Sequence, residues 1–267
     1  MKKTLTLIAL ATVSVLSCKM NTEQQKDQLQ LMPEAPAWGA LWQQRAAEYR
    51  ALSFQAYNFA RLSFDALERK PSGKPLAIVT DIDETVLDNS PYYIHQAIAK
   101  ANYSDSTWVQ WTKQVRADSV PGAPSFFKYA ASKGATVYYV TNRILQDKAA
   151  TIENLKKFGF PNADEEHLLL LETTSSKVAR REKIAASYEI GLLLGDNLGD
   201  FSGLFDNHAE QDRKEWVEEN RSQFGKKFIV LPNVMYGNWE DSWYGKQTPK
   251  SFTDSNTVLN GLMKNYK

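Results

Sequence analysis

The sequence predicts an α/β fold: a parallel sheet covered by helices on both faces. Three observations carry this. Short apolar runs alternate with stretches of three- and four-residue periodicity. The runs are continuously apolar, as in strands buried on both sides. The residues just after four of the runs are carboxylates, hydroxyls, amides and a lysine, and ligands of such sheets collect at the carboxyl ends of the strands. Composition agrees: 43% of the 267 residues are apolar and 24% charged, enough for a large core and unlike a disordered chain. A net charge of +1 leaves no basic footprint for a nucleic-acid polymer. One cysteine and three histidines exclude an internal disulfide and the usual structural zinc sites.

Lys2 and Lys3 open the chain, and an uncharged apolar run follows from Leu5 to Leu16. It is short of the roughly 20 residues that span a bilayer and fits a secretory signal over residues 1–17. The run ends Val15-Leu16-Ser17-Cys18, which resembles a bacterial lipobox. That resemblance implies cleavage before Cys18 and its lipidation, so that only acyl chains touch the membrane. Residues 18–36 are polar and aperiodic, with Gln24, Gln25, Gln28 and Gln30, and read as a tether. Residues 37–267 form the folded domain.

The domain opens with Trp38, Leu41, Trp42, Tyr49, Leu52, Ala56, Phe59 and Leu67, a spacing that predicts one long amphipathic helix from Ala37 to Glu68 with this stripe in the core. Pro71 to Pro75 ends it. Five strands are expected: Leu76 to Thr80, Ala135 to Val140, Leu168 to Leu171, Ile190 to Leu194 and Lys227 to Leu231. Helices are expected at Gln146 to Phe158, Val178 to Tyr188 and Glu210 to Gln223. The stretch from Ser90 to Pro124 is long for a connection, carries Tyr92, Tyr93, Tyr103, Trp108 and Trp111, and is expected to contribute with the first helix to a smaller helical cap region over the site.

Chemistry gathers at four strand ends. After the first come Asp81 and Asp83, two carboxylates on one side of an extended segment. They repel unless a cation or a shared proton relieves them, which suits magnesium and offers a nucleophile and a proton donor. Thr141-Asn142-Arg143 follows the second strand, with a hydroxyl and an amide that can hold a phosphoryl oxygen or cap a helix. Lys177 opens a helix, where the dipole disfavours a cation, and so points to an anionic partner. Gly195-Asp196 leaves the fourth strand, with Asp200 four residues on, again suited to a hard cation.

In this order the four segments resemble the motifs of the haloacid dehalogenase superfamily. The runs Asp81 to Tyr92, Thr141 to Arg143, Gly195 to Phe201 and Pro232 to Trp239 are similar to those of the bacterial class C acid phosphatases. The lipobox and long first helix point to the lipid-anchored branch, the lipoprotein e family of 5′-nucleotidases. The resemblance implies a magnesium-dependent acid phosphomonoesterase for nucleoside 5′-monophosphates and related aromatic esters, acting through an aspartyl-phosphate. It makes Asp81 the nucleophile and Asp83 the proton donor, so activity is expected to favour mildly acidic pH. Magnesium would sit on the Asp81 carboxylate, the Asp83 carbonyl and the Asp196 carboxylate, with Asp200 behind them. Thr141, Asn142 and Lys177 would hold the transferring oxygens, and Tyr236 and Trp108 would stack on the base. The resemblance also implies a homodimer and a role in nucleotide salvage, and the outer membrane is the expected destination. Two small departures, Gly199 and Thr80, remove no catalytic group. Transfer of the phosphoryl group to an alcohol stays open. So does a lipid-anchored ligand-capture protein for haem or nucleotide, although His95, His167 and His208 all fall outside the motifs.

Overall fold

The computed structural model describes residues 29–67, 73–206, 208–245 and 249–265. The expected signal segment, Cys18 and the tether up to residue 28 lie outside the described residues. The chain divides into two units, Pro33–Lys246 and a second that joins residues up to Met32 with those from Gln247 onward.

In the larger unit, α1 (Ala35–Arg45) and α2 (Ala47–Asp65) precede β1 (Leu76–Thr80). Next come β2 (Leu87–Asp88), α3 (Ser90–Ala99), α4 (Asp105–Thr112), β3 (Asp118–Ser119), α5 (Ala123–Ser132) and β4 (Thr136–Val140). The chain continues through α6 (Lys148–Lys157), β5 (Leu168–Leu169), α7 (Val178–Ser187) and β6 (Glu189–Gly195). It ends with α8 (Glu210–Glu219), β7 (Phe228–Val230) and α9 (Asn238–Tyr244). The main sheet is entirely parallel, in the order β5-β4-β1-β6-β7, and β2 and β3 form a small antiparallel pair.

Strand alternation divides the core between the two faces. Ile78, Val137, Tyr139, Leu192 and Leu194 pack with Tyr57 and Phe64 of α2, Phe127 of α5 and Leu155 of α6. Val79, Tyr138, Val140 and Leu193 pack with Ile184 of α7 and with Phe201. Both faces are therefore covered, as the apolar runs require. β1 lies at the centre with Thr80 level with Tyr139 and Leu194. The residues that follow β1, β4 and β6 thus emerge side by side.

The single first helix is corrected to two. Ala46 is extended (ψ 129°) and separates α1 from α2. Arg45, Ala46 and Ala47 are all good helix formers, so packing imposes the break: α1 lies against α3, and α2 runs along the sheet. The buried stripe also differs. Trp38 is 76% exposed, and Leu41, Leu52 and Phe59 are exposed. The inward face is instead Tyr49, Ser53, Ala56, Tyr57, Ala60 and Phe64. Small residues allow close approach there, and Ser53 satisfies its hydroxyl on the Tyr49 carbonyl at 2.9 Å. Hydropathy alone therefore misplaced part of the stripe, while Tyr49 and Ala56 are buried as expected and Leu67 packs against the core.

The Ser90–Pro124 connection is two helices and a strand. Ser90-Pro91 starts α3, left-handed Lys100 (φ 48°) ends it, and the Ser104 hydroxyl caps α4 by accepting from the Thr107 N–H at 3.2 Å.

In the smaller unit, α10 (Phe252–Leu262) carries Asn256 and Asn260 on one face. Asn260 accepts from and donates to the backbone of Leu29, both at 2.8 Å. Asn256 accepts from the N–H groups of Leu31 and Met32 at 2.8 Å and donates to the Met32 carbonyl at 3.1 Å. Residues 29–32 of the expected tether are therefore docked on α10. Among the described residues no helix is long and apolar enough to cross a membrane.

Candidate active site

β1 delivers the first carboxylates. Its ladder runs one residue past the strand, the Asp81 N–H donating to the Leu194 carbonyl at 2.9 Å, which fixes the direction in which Asp81 leaves the sheet. The chain then turns, with Glu84 in the left-handed region at φ 57°. A non-glycine residue is uncommon there, and side-chain bonds hold this one. Glu84 Oε1 accepts from the Asn89 N–H at 2.8 Å, and Oε2 accepts from the Tyr236 hydroxyl. The Tyr57 hydroxyl of α2 donates to the Thr85 carbonyl at 2.6 Å and closes the turn from below.

The two aspartates have different partners. Asp81 Oδ1 accepts from the Lys177 ammonium, which also pairs with Asp200 at 2.6 Å. Asp83 faces Arg143, whose Nη2 lies 2.7 Å from Oδ1, and Asn89 Nδ2 donates to the same oxygen at 2.8 Å. From β6, Asp196 accepts from Asn233 Nδ2 at 2.8 Å, and Asp200 Oδ2 accepts from the Asn197 N–H at 2.9 Å. Gly195 is required by this packing, because a Cβ there would overlap the Asp200 carboxylate.

α7 fastens two of the loops. Arg180 donates to the Thr141 carbonyl at 2.5 Å and to Asn142 Oδ1 at 2.7 Å. Arg181 donates to the Gly199 and Asp200 carbonyls, both at 2.9 Å. With Oδ1 turned to Arg180, the Asn142 amide N–H₂ is left for the cavity.

These groups surround a cavity of about 120 Å³ whose walls include Asp81, Asp83, Asn142, Lys177, Asp196 and Tyr236. That is below the roughly 300–1,000 Å³ of pockets for drug-sized ligands, so it suits a small polar group. Burial, then the nearby Asp200 and Asp83 carboxylates, push Asp81 up to about 7 despite Lys177. Burial and the Asp81 and Asp200 carboxylates raise Asp196 well above the usual range. Burial disfavours the Lys177 ammonium, but Asp200 and Asp81 outweigh it and hold it above its ordinary value.

Carboxylate oxygens of Asp81, Asp196 and Asp200 lie within 4.8 Å of one another. Among the described residues, Asp81 Oδ2 and Asp196 Oδ1 share only the Thr85 hydroxyl, 3.4 Å from each, and one hydroxyl has one proton to give. An all-oxygen set with two under-satisfied carboxylate oxygens can hold a hard metal ion.

The profile of the HAD superfamily, subfamily IIIB (Acid phosphatase), matches residues 1–239. The chain belongs to this family of acid phosphatases. The phosphatase is similar to the class C acid phosphatase from Bacillus anthracis, with a TM-score of 0.84, 38% identity, and coverage of 90% of this chain and 100% of that one. A second structure of that protein, with tungstate bound, matches with a TM-score of 0.84 and 38% identity over 88% of this chain and 99% of that one. The stem 31 kDa glycoprotein of Glycine max is 29% identical over 208 residues, 73% of this chain and 67% of its own. Acid phosphatase 1 of Solanum lycopersicum is 24% identical over 163 residues, 59% of this chain and 57% of its own.

Within this phosphatase, Asp81, Asp83, Asn142, Lys177, Asp196, Asp200 and Tyr236 all border one cavity. Thr141 does not: it is fully buried, accepting from the Arg143 N–H at 3.1 Å. Trp108 is 5% exposed and packs edge-on against Tyr92 at 4.9 Å, with the Arg143 guanidinium 5.7 Å above its ring. It stands behind the acid pair and offers no open face to a base. Tyr236 is stacked on Tyr93, centroids 4.7 Å apart and 15° between planes, so one of its faces is already covered.

Sequence reasoning overlooked Asn89, Arg143, Arg180 and Arg181. Asn89 and Arg143 lie inside the quoted motifs. Arg180 and Arg181 carry the signal used for Lys177, a cation close to a helix N-terminus.

Proposed function

We propose that this phosphatase is a magnesium-dependent acid phosphomonoesterase for nucleoside 5′-monophosphates and related aromatic esters, acting through an aspartyl-phosphate. The observation that carries this is the pairing of Asp81 on Lys177 with Asp83 on Arg143 in one small cavity rimmed by Tyr236. Asp81 attacks phosphorus while Asp83 gives its proton to the departing oxygen, and Asp83 then takes a proton from the water that hydrolyses the acyl phosphate. Lys177 and the Asn142 amide meet the negative charge on the phosphoryl oxygens. The Asp81 carboxylate, the Asp83 carbonyl and the Asp196 carboxylate would hold magnesium, with Asp200 beside them, and the ion supplies charge neutralisation at the phosphoryl group when bound. A cation there also favours the ionised form of Asp81, whose burial otherwise opposes it. The similar class C acid phosphatase from Bacillus anthracis has a structure with tungstate bound, which supports oxyanion recognition by a protein of this kind. The uncovered face of Tyr236 is the stacking surface for the base.

The test is phosphate release from adenosine, nicotinamide and small aliphatic monophosphates, at acidic and neutral pH, with magnesium or chelator. Magnesium-dependent, acid-favoured release with nucleotides preferred is expected, with tungstate as a competitive inhibitor. No release from folded, metal-loaded protein would sink the reading. Export and anchoring through Cys18 belong to the same proposal, with palmitate labelling as their check.

A further inference from the structure

The carboxylate of Asp83 is gripped unevenly. Oδ1 accepts from Arg143 Nη2 at 2.7 Å, Arg143 Nε at 3.0 Å and Asn89 Nδ2 at 2.8 Å. Oδ2 has only long contacts, Arg143 Nε at 3.3 Å and Thr141 Oγ1 at 3.5 Å. A guanidinium and an amide N–H₂ donate and cannot accept. A proton on Oδ1 would face three donors and no acceptor, so the proton of Asp83 belongs on Oδ2.

The grip is itself braced. The Arg143 side chain is 2% exposed, and its Nη1 donates to Thr151 Oγ1 at 2.9 Å. Trp108 lies beneath the guanidinium. Trp111 Nε1 donates to Asn89 Oδ1 at 2.9 Å, which turns the Asn89 amide so that Nδ2 meets Asp83. The Asp83 side chain borders the cavity, and Arg143 stands behind it. The indoles of α4 therefore touch Arg143 and Asn89 and do not line the cavity.

We propose that Arg143, backed by Asn89 and the two indoles of α4, is the positioning residue that presents Asp83 Oδ2 to the leaving oxygen, and so sets the activity of the enzyme on esters whose leaving group needs a proton. This rests on the reading of Asp83 as proton donor and deepens it. As the phosphorus–oxygen bond breaks, its electron pair goes to the leaving oxygen and the Oδ2 proton follows. The carboxylate left behind is the one Arg143 already faces. An alkoxide needs that proton to depart, whereas p-nitrophenolate departs without it. A residue that merely holds the fold together would not distinguish the two.

The experiment compares kcat/KM for glycerol 2-phosphate and p-nitrophenyl phosphate in the full chain and in Arg143→Lys, Asn89→Ala and Asp83→Asn, each checked by thermal melting. kcat/KM reports steps up to departure of the leaving group, so the later water step does not enter. Arg143→Lys should lower the alkyl value by about 10²-fold, the lower range of general-acid contributions, and the aryl value only slightly. Asn89→Ala should act in the same direction by about tenfold, the worth of one hydrogen bond to a charged group. Tungstate inhibition should not change. Equal losses on both esters, no loss on either, or weakened tungstate inhibition in Arg143→Lys would overturn the proposal. If Arg143→Lys does not fold, the ester ratio in Asn89→Ala decides in the same way. Asp83→Asn separates the two levels. An unselective loss there removes the proton-donor reading and this inference together. A selective loss there with an unselective Arg143→Lys removes this inference alone.

Discussion

Asp81→Asn should have two opposite effects. It should abolish turnover by removing the nucleophile, and it should stabilise the metal-free protein at neutral pH. Burial first, then Asp200 and Asp83, raise Asp81 from 3.8 to about 7. Between those values the native state keeps a proton that the unfolded chain releases. The stability tied to Asp81 is therefore complete below about pH 4 and is lost as pH rises through about 7. That interval corresponds to about 4 kcal/mol, at roughly 1.4 kcal/mol per pH unit. It is an upper bound, because Asp196 shares the same proton equilibrium. Asparagine carries no charge at any pH. With chelator, the variant should therefore melt above the wild type at pH 8 and level with it at pH 4. For a chain of this size, at ~2–4 °C per kcal/mol, the difference at pH 8 is on the order of 10 °C. Magnesium should narrow it, by stabilising the wild type through binding to the native state. Melting curves by circular dichroism across this pH range supply the measurement. A variant no more stable than wild type at pH 8, or one with the same gain at pH 4, would refute the argument that this carboxylate is buried at a cost.

Other outcomes follow from the same geometry. Gly195→Ala pushes a methyl group into the Asp200 carboxylate, and kcat should fall about 10–100-fold, as when other ligand-supporting groups are lost; an unchanged kcat would show that Asp200 can move freely. Tyr236→Phe removes the hydroxyl donor from buried Glu84 and should cost about 1–3 kcal/mol in denaturant unfolding, whereas an unaltered midpoint would mean another donor replaces it. Arg180→Met frees the Asn142 amide and should weaken tungstate inhibition about tenfold, one charged hydrogen bond's worth; equal inhibition would leave Arg180 with a purely structural part. The proposed anchoring, which rests on the lipobox resemblance and not on geometry, predicts that Cys18→Ser releases the protein from membranes; continued palmitate labelling would rule out the lipobox.

The parallel sheet was legible because β1, β4 and β6 are apolar on both faces and each ends in chemistry. Asp81, Lys177 and Asp196 stand next to strand or helix ends, where direction is set locally, so their positions together with the family resemblance placed them near one another. Asn89 and Arg143 were quoted but given no role, because their shared partner, Asp83, becomes visible only when the loops after β1 and β4 are brought together. Arg180 and Arg181 stand near a helix N-terminus as Lys177 does, but the carbonyls and the Asn142 amide oxygen that they bind come from other loops, which the sequence does not bring to them. α3 and α4 carry proline, serine and clustered aromatics and no clear helical stripe, so the sequence assigned the stretch to a helical cap without fixing the bounds of its helices. Trp108 was read as a substrate contact because its residue type suits stacking. Its burial depends on Tyr92 and Arg143, which reach it from other elements.

The asparagines of α10 have a mechanical consequence. Leu29, Leu31 and Met32 are tied to Asn256 and Asn260 by five hydrogen bonds. Leu29 is more than two hundred residues from Asn260, so these bonds close the polypeptide into a ring. A force applied at the N-terminus enters this unit at Leu29 and is shared with α10 through those bonds. Peeling residues 29–32 from α10 by their N-terminal end therefore breaks the bonds to Asn260 first and those to Asn256 after them.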